Sequence, residues 1–172
     1  RWLSLLETVT QWATQRGRMT IAVVGGGAGG VELLLAMQHR LQKEVTAAGR
    51  NPADLQFVLL TAGRTILPTH NALVQAQFMR VLRQRNVTVH LNTEVVALSH
   101  GCLHTKDGRT YDADETMWVT QAGGPAWLKN TGLSLDSNGF IQVNDCLQTL
   151  SDPAIFAAGD IAAFTSQPLE KA

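Results

Sequence analysis

The spacing of apolar residues changes several times along the chain, and each change predicts an element. Trp2, Leu5, Leu6, Val9, Trp12 and Ala13 recur at intervals of three and four, so residues 2–15 are expected to form an amphipathic packing helix that Gly17 can end. Ile21, Val23 and Val24 then form a short buried strand, and Val31, Leu34, Leu35, Met37, Leu41 and Val45 give a long helix one apolar side. Residues 47–54 have loop chemistry, and residues 55–61 form a second strand. A third helix, approached through residues 67–71, carries Leu73, Val74, Phe78, Met79, Val81 and Leu82 and stops near Asn86. Residues 87–91 make a third parallel strand. From 94 to 111 the period falls to two, broken at Gly101 and turned at 106–109, which predicts a small antiparallel meander. Residues 117–121 return as a buried strand, and the last apolar runs are 139–143 and the strand that ends abruptly at Gly159 and Asp160. The expected fold is α/β, a Rossmann-like three-layer domain with a parallel sheet and a small β-meander.

Composition narrows the function. The 172 residues allow one or two small domains, and 14 basic residues balance 14 acidic ones. No field is available to recruit nucleic acid or an anionic membrane surface. No apolar run is long enough to span a bilayer, so a soluble, cytoplasmic protein is expected. Cys102 and Cys146 form no C-x-x-C and are expected as reduced thiols. The chain opens on Arg1 within a helical pattern, without Met or a signal peptide, and is expected to be a piece of a longer protein.

The strongest chemical signal joins the first strand to its helix. Gly25, Gly27 and Gly30 have the spacing G-x-G-x-x-G, with Gly26, Ala28 and Gly29 between them. In a dinucleotide site the first glycine allows the turn, the second admits the pyrophosphate and the third brings helix and sheet together. The helix dipole and its free N–H groups then face the phosphates. At the tip of the second strand, Thr61 stands where a carboxylate bonds the ribose of NAD, and Arg64 nearby could accommodate the 2′-phosphate of NADP or remain a solvated loop residue. Gln121, Ala122 and Gly123 offer a second place where backbone can lie against a cofactor. Asp160 reads either as a carboxylate at the carboxyl edge of a sheet or as a cap on a following helix. His100, Cys102 and His104 alternate as metal ligands can, but Gly101 turns the chain between them and no fourth ligand is evident, so no metal site is expected. No G-x-S-x-G elbow or Ser/His/Asp arrangement points to a hydrolase.

Taken together, residues 23–33, 66–68, the meander, 118–123 and 155–160 resemble the pyridine nucleotide-disulfide oxidoreductase superfamily, and within it the type II NADH dehydrogenase-like flavoproteins. Residues 36–40, 67–71 and 119–122 resemble the subgroup fused ahead of selenophosphate synthetase (selenide, water dikinase). The resemblance implies an FAD domain split by an inserted NAD(P)H domain. Residues 1–18 would then be a leading helix, 19–124 the NAD(P)H domain and 125–172 the start of the second FAD half. It implies that Gly25 to Gly30 hold NAD(P)H and that Gly159 and Asp160 hold FAD with the missing first half, so this chain alone binds nicotinamide cofactor but neither retains FAD nor turns over. Glu32, the candidate catalytic residue, would lie near the flavin and pair with a lysine of the FAD domain; its other reading is a first-turn Glu favoured by the helix dipole. Partners implied are the missing FAD-domain half, a homodimer and a fused synthetase domain; the electron acceptor stays open. Thr61 and Arg64 depart from the acidic pattern of many relatives. Two other readings stay open, one with the glycines as the ADP site of FAD itself, the other a non-catalytic sensing or scaffold domain.

Overall fold

A computed structural model describes residues 2–13, 17–120 and 123–166, which fall into two compact units, Arg1–Thr120 and Gln121–Ala172. The first begins with helix α1 (Trp2–Trp12), followed by β1 (Met19–Val24), α2 (Ala28–Ala47), a single 3₁₀ turn at Pro52–Asp54 and β2 (Leu55–Leu60). Then come α3 (Ala72–Gln84), β3 (Val87–His90), the hairpin strands β4 (Val95–Ser99), β5 (Cys102–Thr105) and β6 (Thr110–Asp112), and β7 (Glu115–Trp118).

Four strands pair in the order β3-β2-β1-β7, all parallel, with Val24 beside Leu60 on one flank and Trp118 on the other. Strand alternation explains the three layers. Ile21, Val23, Phe57 and Leu59 join Val31, Leu34, Met37 and Leu41 of α2, Leu82 of α3 and Leu5 and Val9 of α1 in one core. Ala22, Val24 and Leu60 belong to a second core with Val95 and Leu103 of the antiparallel sheet β4-β5-β6. Leu34, Leu41 and Leu59 are fully buried, each contributing roughly 1.5–3 kcal/mol of transfer free energy.

Local chemistry sets the helix ends. The Asn71 side chain accepts from the Val74 N–H at 3.0 Å and caps α3. Gly49, in the left-handed region at φ +75°, closes α2, with Arg50 N–H donating to Val45 O. The Arg50 guanidinium lies 4.2 Å over the Trp12 ring and donates to the Trp12 and Gly17 carbonyls, fastening the end of α1 beside α2.

The second unit contains a 3₁₀ turn at Ala126–Asn130, β8 (Ile141–Val143), a 3₁₀ turn at Gly159–Ile161 and β9 (Ala162–Phe164), with β8 and β9 parallel. Leu128, Ile141, Val143, Ala157 and Ala162 form its own core.

Several boundaries differ from expectation. Helix α1 ends at Trp12, and residues 14–16 lie outside the described set. The returning strand is Glu115–Trp118, in which Thr116 and Met117 are buried while Trp118, its last residue, is 44% exposed. The apolar stretch before Gly159 is not a strand. Phe156 is 61% exposed, and residues 147–157 fold back on a turn in which Asp152 accepts from Ala154 N–H, with isolated bridges from Gln148 to Phe156 and from Thr149 to Val143 in place of a strand. An apolar run cannot distinguish this irregular hairpin from a buried strand, since both allow alternate burial.

A pH-sensitive contact lies where the meander meets the parallel sheet. The His90 ring sits 4.6 Å from the Tyr111 ring, and Arg109 donates to Tyr111 Oη at 3.0 Å. Burial, and then the charge of Arg109, lowers the His90 pKa from its ordinary 6.5. The folded state therefore disfavours the imidazolium and the unfolded chain takes the proton first. His90's contribution to stability is full above its unfolded pKa and declines as pH falls from there through the lowered folded value. Urea midpoints are expected to drop between about pH 7 and about pH 5, with a smaller drop in His90→Gln. Equal drops in the two proteins would assign the effect to other groups.

Candidate functional site

The glycine turn stands at the carboxyl end of β1, flanked by the ends of β2 and β7. Gly25 N–H donates to Leu60 O at 2.8 Å, and Val119 N–H donates to Val24 O at 2.8 Å, so both neighbouring strands close on the turn. Gly25 has φ +127°, and a Cβ there would lie 2.1 Å from Val119 O. A Cβ on Gly26 would meet Thr61 Oγ1 at 2.7 Å, and one on Gly30 would meet Gly25 O at 1.9 Å. The protein's own packing thus requires small residues at these three positions.

Gly27 is different. Its backbone is extended, φ −72° and ψ 179°, a conformation open to any residue, and no atom lies within 4 Å of the Cβ it lacks. Gly27 is exposed and is the N-cap of α2, with no side-chain cap. The helical ladder starts with Val31 N–H donating to Gly27 O at 3.1 Å. Among the described residues no acceptor meets the N–H groups of Ala28, Gly29 and Gly30, which point out of the helix start with its positive dipole end. A pyrophosphate fits this arrangement, because donors and open backbone occur at one spot.

The loop after β2 forms one wall. Thr61 is buried, its N–H donates to His90 O, its carbonyl accepts from Thr93 N–H and its Oγ1 accepts from Gly63 N–H at 3.3 Å. Leu67 N–H donates to Gly26 O at 2.7 Å, drawing the loop onto the glycine turn, with Leu67 held at φ +52°. A left-handed non-glycine residue costs on the order of 1 kcal/mol, a strain the buried Leu67 side chain offsets. Arg64 and Glu32 are both exposed; α2 begins at Ala28, so Glu32 is its fifth residue and lies just past the first turn where the sequence placed it.

The structure therefore brings Gly25, Gly26, Gly27, Ala28, Gly29, Gly30 and Thr61 together, with Arg64 on the adjoining loop. Gly123, Gly159 and Asp160 belong to the second unit. There Asp160 is exposed in the 3₁₀ turn Gly159–Ile161, and Gly123 precedes Gly124, whose missing Cβ would overlap the Gly139 carbonyl. Gln121 and Ala122 lie outside the described residues. Val119 and Leu67, which shape the turn, carry no sequence signal, since their roles arise from strand order. His104 Nε2 is 2.7 Å from Ser99 Oγ, and no metal-holding group of three or more His, Cys, Asp or Glu occurs among the described residues. No described helix is long and apolar enough to cross a membrane.

Residues 2–172 match the sequence model of the pyridine nucleotide-disulphide oxidoreductase family. The chain belongs to that family. A type II NADH:quinone oxidoreductase of Haemophilus influenzae is 32% identical over 161 residues, which are 91% of this chain and 36% of the relative. A dihydrolipoyl dehydrogenase of Thermus scotoductus is 29% identical over 83% of this chain and 30% of its own length. The chain thus spans about a third of the length of these curated relatives. Among solved structures, NDH2 of Plasmodium falciparum in complex with NADH superposes with a TM-score of 0.78 at 18% identity, over 92% of this chain and 36% of that one. An FAD-dependent pyridine nucleotide-disulphide oxidoreductase of Desulfovibrio vulgaris superposes with a TM-score of 0.63 at 24% identity, over 93% and 38%. These likenesses establish the Rossmann-like fold, and the family match across the chain lends no support to a non-catalytic scaffold.

Proposed function

We propose that this chain is the pyridine-nucleotide-binding portion of an FAD-dependent oxidoreductase. The observation that carries the reading is Gly27. Gly25, Gly26 and Gly30 are glycine because the protein crowds them, whereas a Cβ on Gly27 would enter open space and the extended backbone there gives no internal reason to lack a side chain. A group that approaches the backbone from outside supplies that reason.

The cofactors supply the chemistry, hydride from the nicotinamide to the flavin. This chain's residues bind and orient. The N–H groups of Ala28, Gly29 and Gly30 hold the pyrophosphate, and the α2 dipole favours its charge. Gly26 against Thr61 and Gly25 against Val119 fix the turn, so little ordering entropy is lost on binding. Residues 19–124 would form the nicotinamide domain, with Gln121, Ala122 and Gly123 as a second backbone approach. Residues 125–172 would contribute Gly159 and Asp160 to FAD, completed by chain that lies outside these residues. Glu32, exposed on α2 just past its first turn, is the residue proposed to meet a lysine of that FAD domain.

The narrower resemblance, to flavoproteins fused ahead of selenophosphate synthetase, rests on residues 36–40, 67–71 and 119–122. A full-length polypeptide without a synthetase domain would remove it.

Calorimetric titration of the purified chain with NADH and with NADPH tests the main reading. One dinucleotide per chain is expected to bind, and the protein should leave gel filtration colourless. Retained flavin would instead make the glycine turn the ADP site of FAD, and no binding of either nucleotide would remove the proposal.

A further inference from the structure

We infer that the adenosine end of this site selects a dinucleotide carrying a 2′-phosphate, and that Arg64 is the residue that selects it. The inference rests on the dinucleotide reading above and takes it one step further. In a βαβ site the end of the second strand sets the choice. A carboxylate there bonds the ribose hydroxyls and repels a phosphate, whereas a nearby Arg attracts one.

Thr61 stands directly after β2 and is neutral. It is 8% exposed, and its Oγ1 packs where a Gly26 Cβ would be and accepts from Gly63 N–H. Its N–H and C=O are both committed to the end of β3, to His90 O and Thr93 N–H. This position has no carboxylate to offer a ribose. Residues 61–71 contain no Asp or Glu at all, so nothing on the loop would repel a phosphate.

Arg64 is the one Lys or Arg of that stretch, and the loop carrying it is held on both flanks. Leu67 N–H donates to Gly26 O at 2.7 Å, on the glycine turn, and Asn92 N–H donates to Gly63 O at 3.0 Å, beyond β3. Arg64 is exposed, and none of the described residues gives it an ion pair or hydrogen bond. A guanidinium on a fixed loop beside the pyrophosphate cradle, with no carboxylate competing for it, suits a phosphate monoester and its bidentate geometry. The relatives named for NADH make this a departure within the family.

The test uses half-ligands, adenosine 2′,5′-bisphosphate and ADP, titrated calorimetrically into the purified chain and into Arg64→Met at low salt. The chain is expected to bind the bisphosphate about tenfold or more tightly than ADP, the difference a charge-assisted hydrogen bond makes. That preference should shrink as salt is raised and vanish in Arg64→Met, whose circular dichroism should match the parent. Equal affinities in the parent chain, or a preference that survives Arg64→Met, overturn the inference and leave the dinucleotide reading intact. Binding of neither half-ligand overturns both.

Discussion

Gly27→Val is expected to abolish dinucleotide binding while leaving the fold about as stable as the parent chain. The two halves of that result have separate causes. The Gly27 backbone at φ −72°, ψ 179° suits a β-branched residue, and no protein atom lies within 4 Å of the added Cβ. The remaining cost is the poorer N-cap preference, about 0.5 kcal/mol. A pyrophosphate needs the same volume, and branched carbons over the α2 start would also separate it from the N–H groups of Ala28, Gly29 and Gly30. Losing two or three charge-assisted hydrogen bonds at about 1.5–3 kcal/mol each lowers affinity by about a hundredfold or more. Calorimetric titration paired with urea denaturation reads both halves. A variant that still binds would mean that the phosphates do not pass over Gly27.

Gly30→Ala is expected to do the reverse, destabilising the first unit by about 3 kcal/mol or more. Helix propensity alone predicts the opposite sign, since alanine is favoured over glycine by about 1 kcal/mol inside a helix. The contact decides. The new Cβ would lie 1.9 Å from Gly25 O and 3.0 Å from Gly25 C, backbone atoms with no rotamer to move. Relief requires α2 to lift away from the end of β1, which opens the core around the fully buried Val31 and Leu34. Against a total stability of about 5–15 kcal/mol, such a loss is readily measured by urea denaturation. An alanine variant as stable as the parent would mean that strand and helix meet less closely than they do here.

The periodicities of residues 31–45 and 73–82 were sufficient to place α2 and α3, because a helical face repeats within a few residues. The alternation across the meander was equally readable, including its turn at Lys106–Arg109, where Gly108 N–H donates to Thr105 O. The glycine spacing 25-27-30 was readable as a candidate cradle. What it could not reveal is that the three glycines answer to different demands. The exposure of Phe156 and the fold-back at Asp152 were also hidden, since an apolar tetrapeptide carries no mark of which side faces solvent.

By itself the sequence determined the main elements of the first unit, the α/β class and the place where strand, glycines and helix meet, because each depends on residues close together in the chain. Only the tertiary structure decided what surrounds that place. The order β3-β2-β1-β7 brings Val119 against Gly25 and Thr61 under Gly26, and Asp114 is fastened to Thr20 by a 2.7 Å bond from Thr20 N–H. Strand order is set by the burial of two whole sheet faces at once, a property no local window contains. For that reason the difference between the crowded Gly25 and Gly30 and the open Gly27, from which the functional reading follows, belongs to the folded chain alone.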